Sequence, residues 1–383
     1  MFNIQNSLYL DEPFERIFSV MQTDFVEPDS PVIESASKQK GTHRPFFLLL
    51  HIAAFLVGLT VIVVLVYRNQ EIISEALLDV GSGFFLLVSL NLTRHLMRAA
   101  SMYRAVAPEL RTFKYRSAVA ARFGGEAVTL FSAFTGPYLG DATKVMLMKK
   151  HLPVTQGASA VIIDNILYYT SVIVLVLTGV IILVASYGST GTTMSRVLLI
   201  IVIAMVVAFT VFALAILFQV TPLTHTIDLF AKRNLAPKFL VNKRASILNV
   251  ENNVFQFYHN RPMDFFLVFG ISLCVQMVSV TEVYYALTFL GYEPTFTKAF
   301  IIESLTKIVN LTYGFIPANM GVYEGGNVLI LKTLGYGAMA SGIGVALALV
   351  RRGTSLCGNL IGVIVLFWRG AAGGMNRLAK KSD

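Results

Sequence analysis

The sequence predicts an all-α polytopic membrane protein made of two inverted-topology halves, with about six crossing helices and two re-entrant broken-helix hairpins. Three observations predict it. The 383 residues are 55% hydrophobic and only 14% charged, with a mean hydropathy of +0.67, whereas soluble domains carry about 25% charged residues. Several apolar runs reach the roughly 20 residues needed to cross about 30 Å of hydrocarbon. Two segments, FSAFTGPYLGDATKVMLMKK and NLTYGFIPANMGVYEGGNVLILK, also share one pattern: an apolar stretch breaks at Gly and Pro, exposes one acidic residue, and resumes. Pro137, Gly140 and Asp141 stand at the first break; Pro317, Gly321 and Glu324 stand at the second. Unbroken apolar runs exclude a β-barrel, whose strands would alternate polar and apolar residues.

Residues 1–45 form an acidic, Ser/Pro-containing lead without sustained apolar periodicity, read as a disordered or surface-lying tail. No basic start followed by a short apolar core is visible there, so the first apolar run, 46–67, is expected to be retained. Lys38, Lys40 and Arg44 precede it and place the N-terminus in the cytoplasm. The loop with Arg68, Glu71 and Glu75 suits the outer face. A second helix, 77–97, returns to a basic stretch holding Arg98, Arg104, Arg111, Lys114, Arg116 and Arg122.

The next apolar piece lies between that stretch and Lys144, Lys149 and Lys150. One crossing would put the second cluster outside, so a re-entrant hairpin near 118–148 is expected. Non-helical backbone at that depth is tolerated only inside protein or beside a wet cavity. Helices 157–185 and 196–219 complete the first half, 46–219. Residues 220–262 are a basic cytoplasmic linker too short for a catalytic domain, with room for one helix on the membrane surface. The second half, 263–370, crosses at 263–290, dips at 300–332 from the opposite face, and crosses back at 338–368. It ends in a basic cytoplasmic tail, 371–383. Trp368 beside Arg369 suits an interfacial anchor.

The net charge of +9 is explained by basic residues at helix ends and requires no nucleic acid. Cys274 and Cys357 are read as small apolar packing residues without a disulfide framework. No metal-ligand spacing, P-loop or nucleophile elbow is present, so neither metal nor cofactor is expected. Asn91-Leu-Thr and Asn310-Leu-Thr match the glycosylation sequon by chance in apolar context.

Ionisable residues inside membrane segments cost about 2.5–3.5 kcal/mol each on insertion scales and usually face a cavity or a partner. Here they are Glu126, Asp141, Asp164, Glu282, Glu303, Lys307, Glu324, Arg351 and Arg352. Glu126, Glu282 and Glu303 are read equally as structural or interfacial. Arg351 and Arg352 point about 100° apart on a helix, so only one faces a site directly. Arg94 and Arg98, four apart, share a face, with Arg98 the better candidate for cytoplasmic anchoring. The candidate substrate-binding set is Pro137, Gly140, Asp141, Asp164, Pro317, Gly321, Glu324, Arg351, Arg352 and Arg94.

The stretches GPYLGDATKVMLMKKHLPVTQGASAVIIDNI and FIPANMGVYEGGNVLILKTLGYGAMASGIGVALALVRR resemble the flippase-like transmembrane family typified by the membrane domain of bacterial lysylphosphatidylglycerol synthases. The resemblance covers about residues 46–370. It implies lipid translocation or a linked lipid-handling role in the bacterial cytoplasmic membrane. It also implies a stand-alone member that lacks the soluble aminoacyl-transfer domain and is not expected to make the aminoacylated lipid itself. Where many relatives carry an Arg beside the acidic residue of the first repeat, Asn165 follows Asp164 here, which leaves the partner of Asp164 open.

The reading is a non-enzymatic carrier moving a polar-headgroup lipid (phospholipid, hopanoid or polyprenyl-linked) through a midplane cavity. The hairpin tips are expected to meet there beside Asp164 and Arg351. Partners are membrane lipids, with a second copy of the chain or a lipid-synthesis enzyme as candidates. The alternatives are a membrane-embedded transferase with Asp141 or Glu324 as base, and a non-transporting scaffold for lipid-modifying enzymes.

Overall fold

The computed structural model describes residues 67, 78, 80–131, 136–187, 203, 207, 221–232, 241, 243–312 and 321–379. The tail 1–45, nearly all of the predicted helices 46–67 and 196–219, and Pro317 lie outside the described residues. Among the described residues there are ten α-helices and no strand.

Four helices make a first group: α1 Gly83–Ala105, α2 Tyr115–Phe131, α3 Gly136–Met148 and α4 Val154–Tyr187. Two follow, α5 Pro222–Lys232 and α6 Arg244–Asn260. A second group of four then repeats the order long, short, short, long: α7 Pro262–Phe289, α8 Phe296–Thr312, α9 Val322–Thr333 and α10 Ala340–Ala379. Three segments are long and apolar enough to cross a membrane: Val154–Ser186, Pro262–Phe289 and Gly337–Trp368. These match the predicted crossings at 157–185, 263–290 and 338–368.

The two groups are related helix by helix. α1 and α7 pack antiparallel: Gly83 lies against Phe289, Arg94 against Ser279 and Glu282, and Arg261 reaches the carbonyls of Ala105 and Val106. Each group's long fourth helix packs on the other group's first hairpin helix, α4 on α8 and α10 on α2. The hairpins α2–α3 and α8–α9 begin at opposite ends of this frame. α2 follows the end of α1 that meets Arg261, and α8 follows the end of α7 that meets Gly83.

Glycines permit the two reciprocal crossings. A Cβ on Gly179 would overlap the Ser304 side chain, and one on Gly362 would overlap the Phe123 carbonyl. Small residues that let backbones approach are the usual packing device where lipid supplies no hydrophobic drive between helices. Two apolar clusters hold the frame. One joins Leu87, Val176, Val283, Ile302 and Leu347; the other joins Met102, Met148, Ile163 and Phe257. Along α1, Arg94 and Arg98 fall between Leu87 of the first cluster and Met102 of the second.

Several expectations change. The predicted helix 77–97 is helical to Ala105, because Arg98 is buried and paired rather than anchored at a surface. Gly140 and Asp141 lie inside α3 rather than at a break, since Pro137 takes the second position of that helix, where its missing N–H costs nothing. The region 220–262 is not a plain linker: α6 packs on α4 and α7, with Asn253 Nδ2 donating to Ser159 Oγ at 3.2 Å. α5 is tied to α6 by Thr224 donating to Glu251 and by Arg244 to Asp228 at 2.6 Å; those hydrogen bonds hold the Asp228 carboxyl below the usual range. Cys274 is exposed rather than packed, and Cys357 is half-buried. α10 stays helical through most of the predicted tail, to Ala379. Trp368 is exposed, as an interfacial anchor requires.

α4 is 34 residues long, about 51 Å at helical rise, so its ends should lie on opposite faces of the bilayer. Cysteines placed at Lys150 and Tyr187 should label from opposite sides; labelling of both from one side would contradict this. Gly362→Ala and Gly179→Ala should each cost about 1–3 kcal/mol by overpacking, read as earlier thermal unfolding in detergent. Gly270→Ala, with nothing within 4 Å of the new Cβ, should be neutral.

Candidate functional site: a buried ion-pair seam

The hairpin helices and their neighbours carry charge into the interior, and nearly every charge meets an opposite one. In the first group, Arg98 on α1 reaches Asp164 on α4 at 2.6 Å, and Ser101 donates to the same carboxylate at 2.5 Å. Arg122 on α2 lies 3.7 Å from Asp164 and 3.0 Å from Glu126. Lys144 on α3 bridges Glu126 at 3.2 Å and Asp141 at 2.9 Å. Asn165 closes the set, donating to Asp141 at 2.7 Å and accepting from Arg98 at 3.0 Å. The partner that the family pattern would place beside Asp164 in sequence is thus supplied from two other helices. Three cations face three carboxylates.

In the second group, Glu303 on α8 lies 2.8 Å from Lys307 and 2.8 Å from Arg351 on α10. Glu282 on α7 meets Arg94 at 2.9 Å and accepts from Thr354 at 3.1 Å. Glu324 on α9 meets Arg352 at 2.6 Å. Among the ion pairs of the described residues, four cations meet these three carboxylates. The pairs Arg94 Nη1 to Glu282 Oε2 and Arg351 Nη1 to Glu303 Oε2 are close in distance, yet Glu282 Oε2, Glu303 Oε2 and Arg351 Nη1 have no aligned hydrogen bond. Arg352 to Glu324 is aligned.

α2 and α8 each have 17 residues. At the eighth and twelfth places α2 carries Arg122 and Glu126, and α8 carries Glu303 and Lys307. Both are i,i+4 pairs, with the signs exchanged. The related helices therefore present complementary charge at corresponding points.

Glu324 also accepts from the Gly321 N–H at 2.8 Å. Gly321 sits at φ 77°, a left-handed conformation that favours glycine. The N-terminus of α9, expected to offer positive potential to a phosphate, is therefore already served by the chain's own carboxylate. At the other hairpin, Gly140 lets α3 close on α2, since a Cβ there would overlap Thr129.

Of the predicted site residues, the structure gathers Asp141 and Asp164 with Arg98, Arg122 and Lys144. It gathers Arg94, Arg351, Arg352 and Glu324 with Glu282 and Glu303. Asp164 and Arg351 thus belong to different partnerships, and both arginines of the Arg351–Arg352 pair are engaged. Sequence reasoning missed Arg98, Arg122 and Lys144 by assigning them to cytoplasmic flanks; all three are buried. The i,i+4 spacing of Arg122 to Glu126 and the i,i+3 spacing of Asp141 to Lys144 were the available signals. Asn91 was dismissed with the chance sequon, yet it is fully buried beside Gly358 and His95, with neither amide atom hydrogen-bonded.

A helical scaffold with membrane-length helices and a charge-paired interior defines a polytopic membrane protein. Residues 46–362 match the lysylphosphatidylglycerol synthase TM region. The chain belongs to that family. No curated protein and no solved structure matches it significantly.

Removing one partner of a buried pair leaves an uncompensated charge and typically costs about 3–5 kcal/mol. Asp164→Asn, which strands Arg98, should lower thermal stability in detergent accordingly. Asp164→Leu combined with Arg98→Met should lose less. Asp228→Asn, at the solvent-facing Arg244 pair, should change little and less still in high salt.

Proposed function

We propose that this protein carries a polar-headgroup lipid across the bacterial cytoplasmic membrane, with both termini cytoplasmic and the hairpins α2–α3 and α8–α9 re-entrant from opposite faces. The observation that carries the reading is the pair of ion-pair clusters in an otherwise apolar, membrane-length scaffold. Family membership links the chain to lipid handling. A headgroup crossing hydrocarbon unaided loses its hydrogen bonds to water, at several kcal/mol for each polar group. Charged side chains that already satisfy one another can exchange partners with a phosphate or an amine as it passes, so no stage leaves a charge bare. The movement needs no covalent step, and nothing in the proposed path consumes a nucleotide.

The half-exposed flank of the seam is where exchange would begin. Arg94 and Arg352 keep 19% and 26% of their side chains exposed, against 1% or less for their carboxylate partners. Arg351 is the proposed phosphate contact, because a guanidinium binds two oxygens at once.

In proteoliposomes with headgroup-labelled lipids, the protein should equilibrate label between leaflets without ATP and without forming a new covalent product. Arg351→Gln should reduce that exchange at least tenfold while the protein stays monodisperse, because Glu303 retains Lys307. A new covalent product would favour the transferase. Normal exchange by Arg351→Gln would remove the seam from the path.

A further inference from the structure

Helices α1 and α7 are counterparts, yet they end in different ways. α7 closes with backbone alone. Gly291, at φ 80°, lets its own N–H and that of Tyr292 reach the carbonyls of Thr288 and Leu287, a common glycine cap. α1 closes with charge instead. Arg111 donates to the carbonyls of Val106 at 2.8 Å and Arg104 at 2.7 Å. Arg261, the residue before α7, donates to those of Arg104, Val106 and Ala105 at 2.8, 2.9 and 3.3 Å. A cation suits a helix C-terminus, but the glycine cap of α7 serves the same need without gathering charge.

The two arginines also converge on one carboxylate. Asp264, in the first turn of α7, meets Arg111 and, at 2.6 Å, Arg261. A third cation, Arg104, stands 4.0 Å from the same carboxylate and is half-exposed. Among the described residues its guanidinium donates no hydrogen bond. Arg111 engages Nε and Nη2, which leaves Nη1 for a further acceptor. Glu109, in the short turn Pro108–Leu110, is exposed and takes part in none of these pairs. Nor does any member of the cluster pair with the buried seam.

The helix that leaves this cluster is apolar and open. Pro262–Phe289 is long and apolar enough to cross a membrane, and Met263, Phe266, Leu267 and Met277 are exposed along it. With Cys274, also exposed, they follow one another at helical spacing on one side of α7. Gly270 lies on the same line, with nothing within 4 Å of where a Cβ would stand. Guanidinium groups bind phosphate oxygens two at a time, and an apolar face on a spanning helix meets acyl chains. The two features adjoin, because Met263 follows Arg261 by two residues.

We infer that Arg104, Arg111 and Arg261, gathered on Asp264, form a binding site for the phosphate of an anionic phospholipid, whose acyl chains lie along the Met263–Met277 face of α7. This site is separate from the seam and does not depend on transport.

The test is lipid binding by the purified full chain in uncharged detergent, read as thermal stabilisation against lipid concentration. Phosphatidylglycerol should bind more tightly than phosphatidylcholine, and the preference should weaken in high salt. Arg104→Gln removes a cation that holds nothing else, so unfolding without lipid should be unchanged. Its binding of phosphatidylglycerol should weaken about fivefold, the effect of one basic residue at an anionic surface. Arg116→Gln, at an exposed cation outside the cluster, should bind as the wild type does. Phe266→Ser should weaken binding without altering its salt dependence, since it shortens the acyl track and spares the phosphate contact.

Wild-type binding by Arg104→Gln would overturn the inference. An equal loss in Arg116→Gln would also overturn it, by making the effect one of general surface charge. Deacylated glycerophosphoglycerol should not compete; competition at the concentrations where the lipid binds would reassign the site to a soluble phosphate. If Arg104→Gln fails to fold, Phe266→Ser decides, and normal binding by that variant would sink the lipid site. Repeating the comparison in the Arg351→Gln background keeps the seam out of the reading, so the carrier proposal and this one fail separately.

Discussion

A charge inside an apolar interior persists only with a partner, and this requirement organises the molecule. Desolvating a carboxylate or guanidinium costs several kcal/mol even after relaxation, and pairing recovers that cost only with good geometry. The chain places these charges on all eight helices of the two groups, and most pairs join different helices: Asp164 on α4 is met from α1 and α2, and Glu303 on α8 from α10. Each pair between helices therefore fixes the rotation and depth of two helices at once. Apolar packing alone is less selective, because one apolar helix face slides over another at little cost. The ion pairs set the register, and the clusters around Leu87 and Met102 supply the contact area.

The reciprocal arrangement follows from the same economy. A helix that carries Arg122 and Glu126 is well served by a relative that carries Glu303 and Lys307, since a two-fold relation then presents opposite signs at matching points. Close approach is equally reciprocal, with Gly179 beneath Ser304 and Gly362 beneath Phe123. The two groups thus match in geometry where their residues differ in chemistry.

Much of this was readable in the sequence. Hydropathy located the three spans, and in the regions of the two Gly/Pro-marked segments α2 packs on α3 and α8 on α9. The acidic residues and Arg351 were singled out because charge in an apolar run stands out. Arg98, Arg122 and Lys144 were not, because each sits near the end of an apolar run where a flanking charge is the ordinary reading. Nothing local distinguishes an Arg that reaches outward to headgroups from one that reaches inward to Asp164; only the packing of α1 against α4 decides it. Gly140 failed as a break for a related reason. A glycine that relieves a crossing looks the same in sequence as a glycine that ends a helix, and here the demand came from Thr129 on another helix.

The crossing of α4 over α8 and of α10 over α2 has a consequence in the time order of synthesis. A ribosome delivers α4 well over a hundred residues before it delivers α8, so the Gly179 notch and the Leu175 carbonyl that Ser304 will use wait without their match while the rest of the chain is made. The first group cannot finish on its own, because its hairpin helix α2, which packs on α1 and α3, also packs on α10 of the second group. A charge-bearing bundle therefore stays open on that side until α10, which packs on both α2 and α9, has been made.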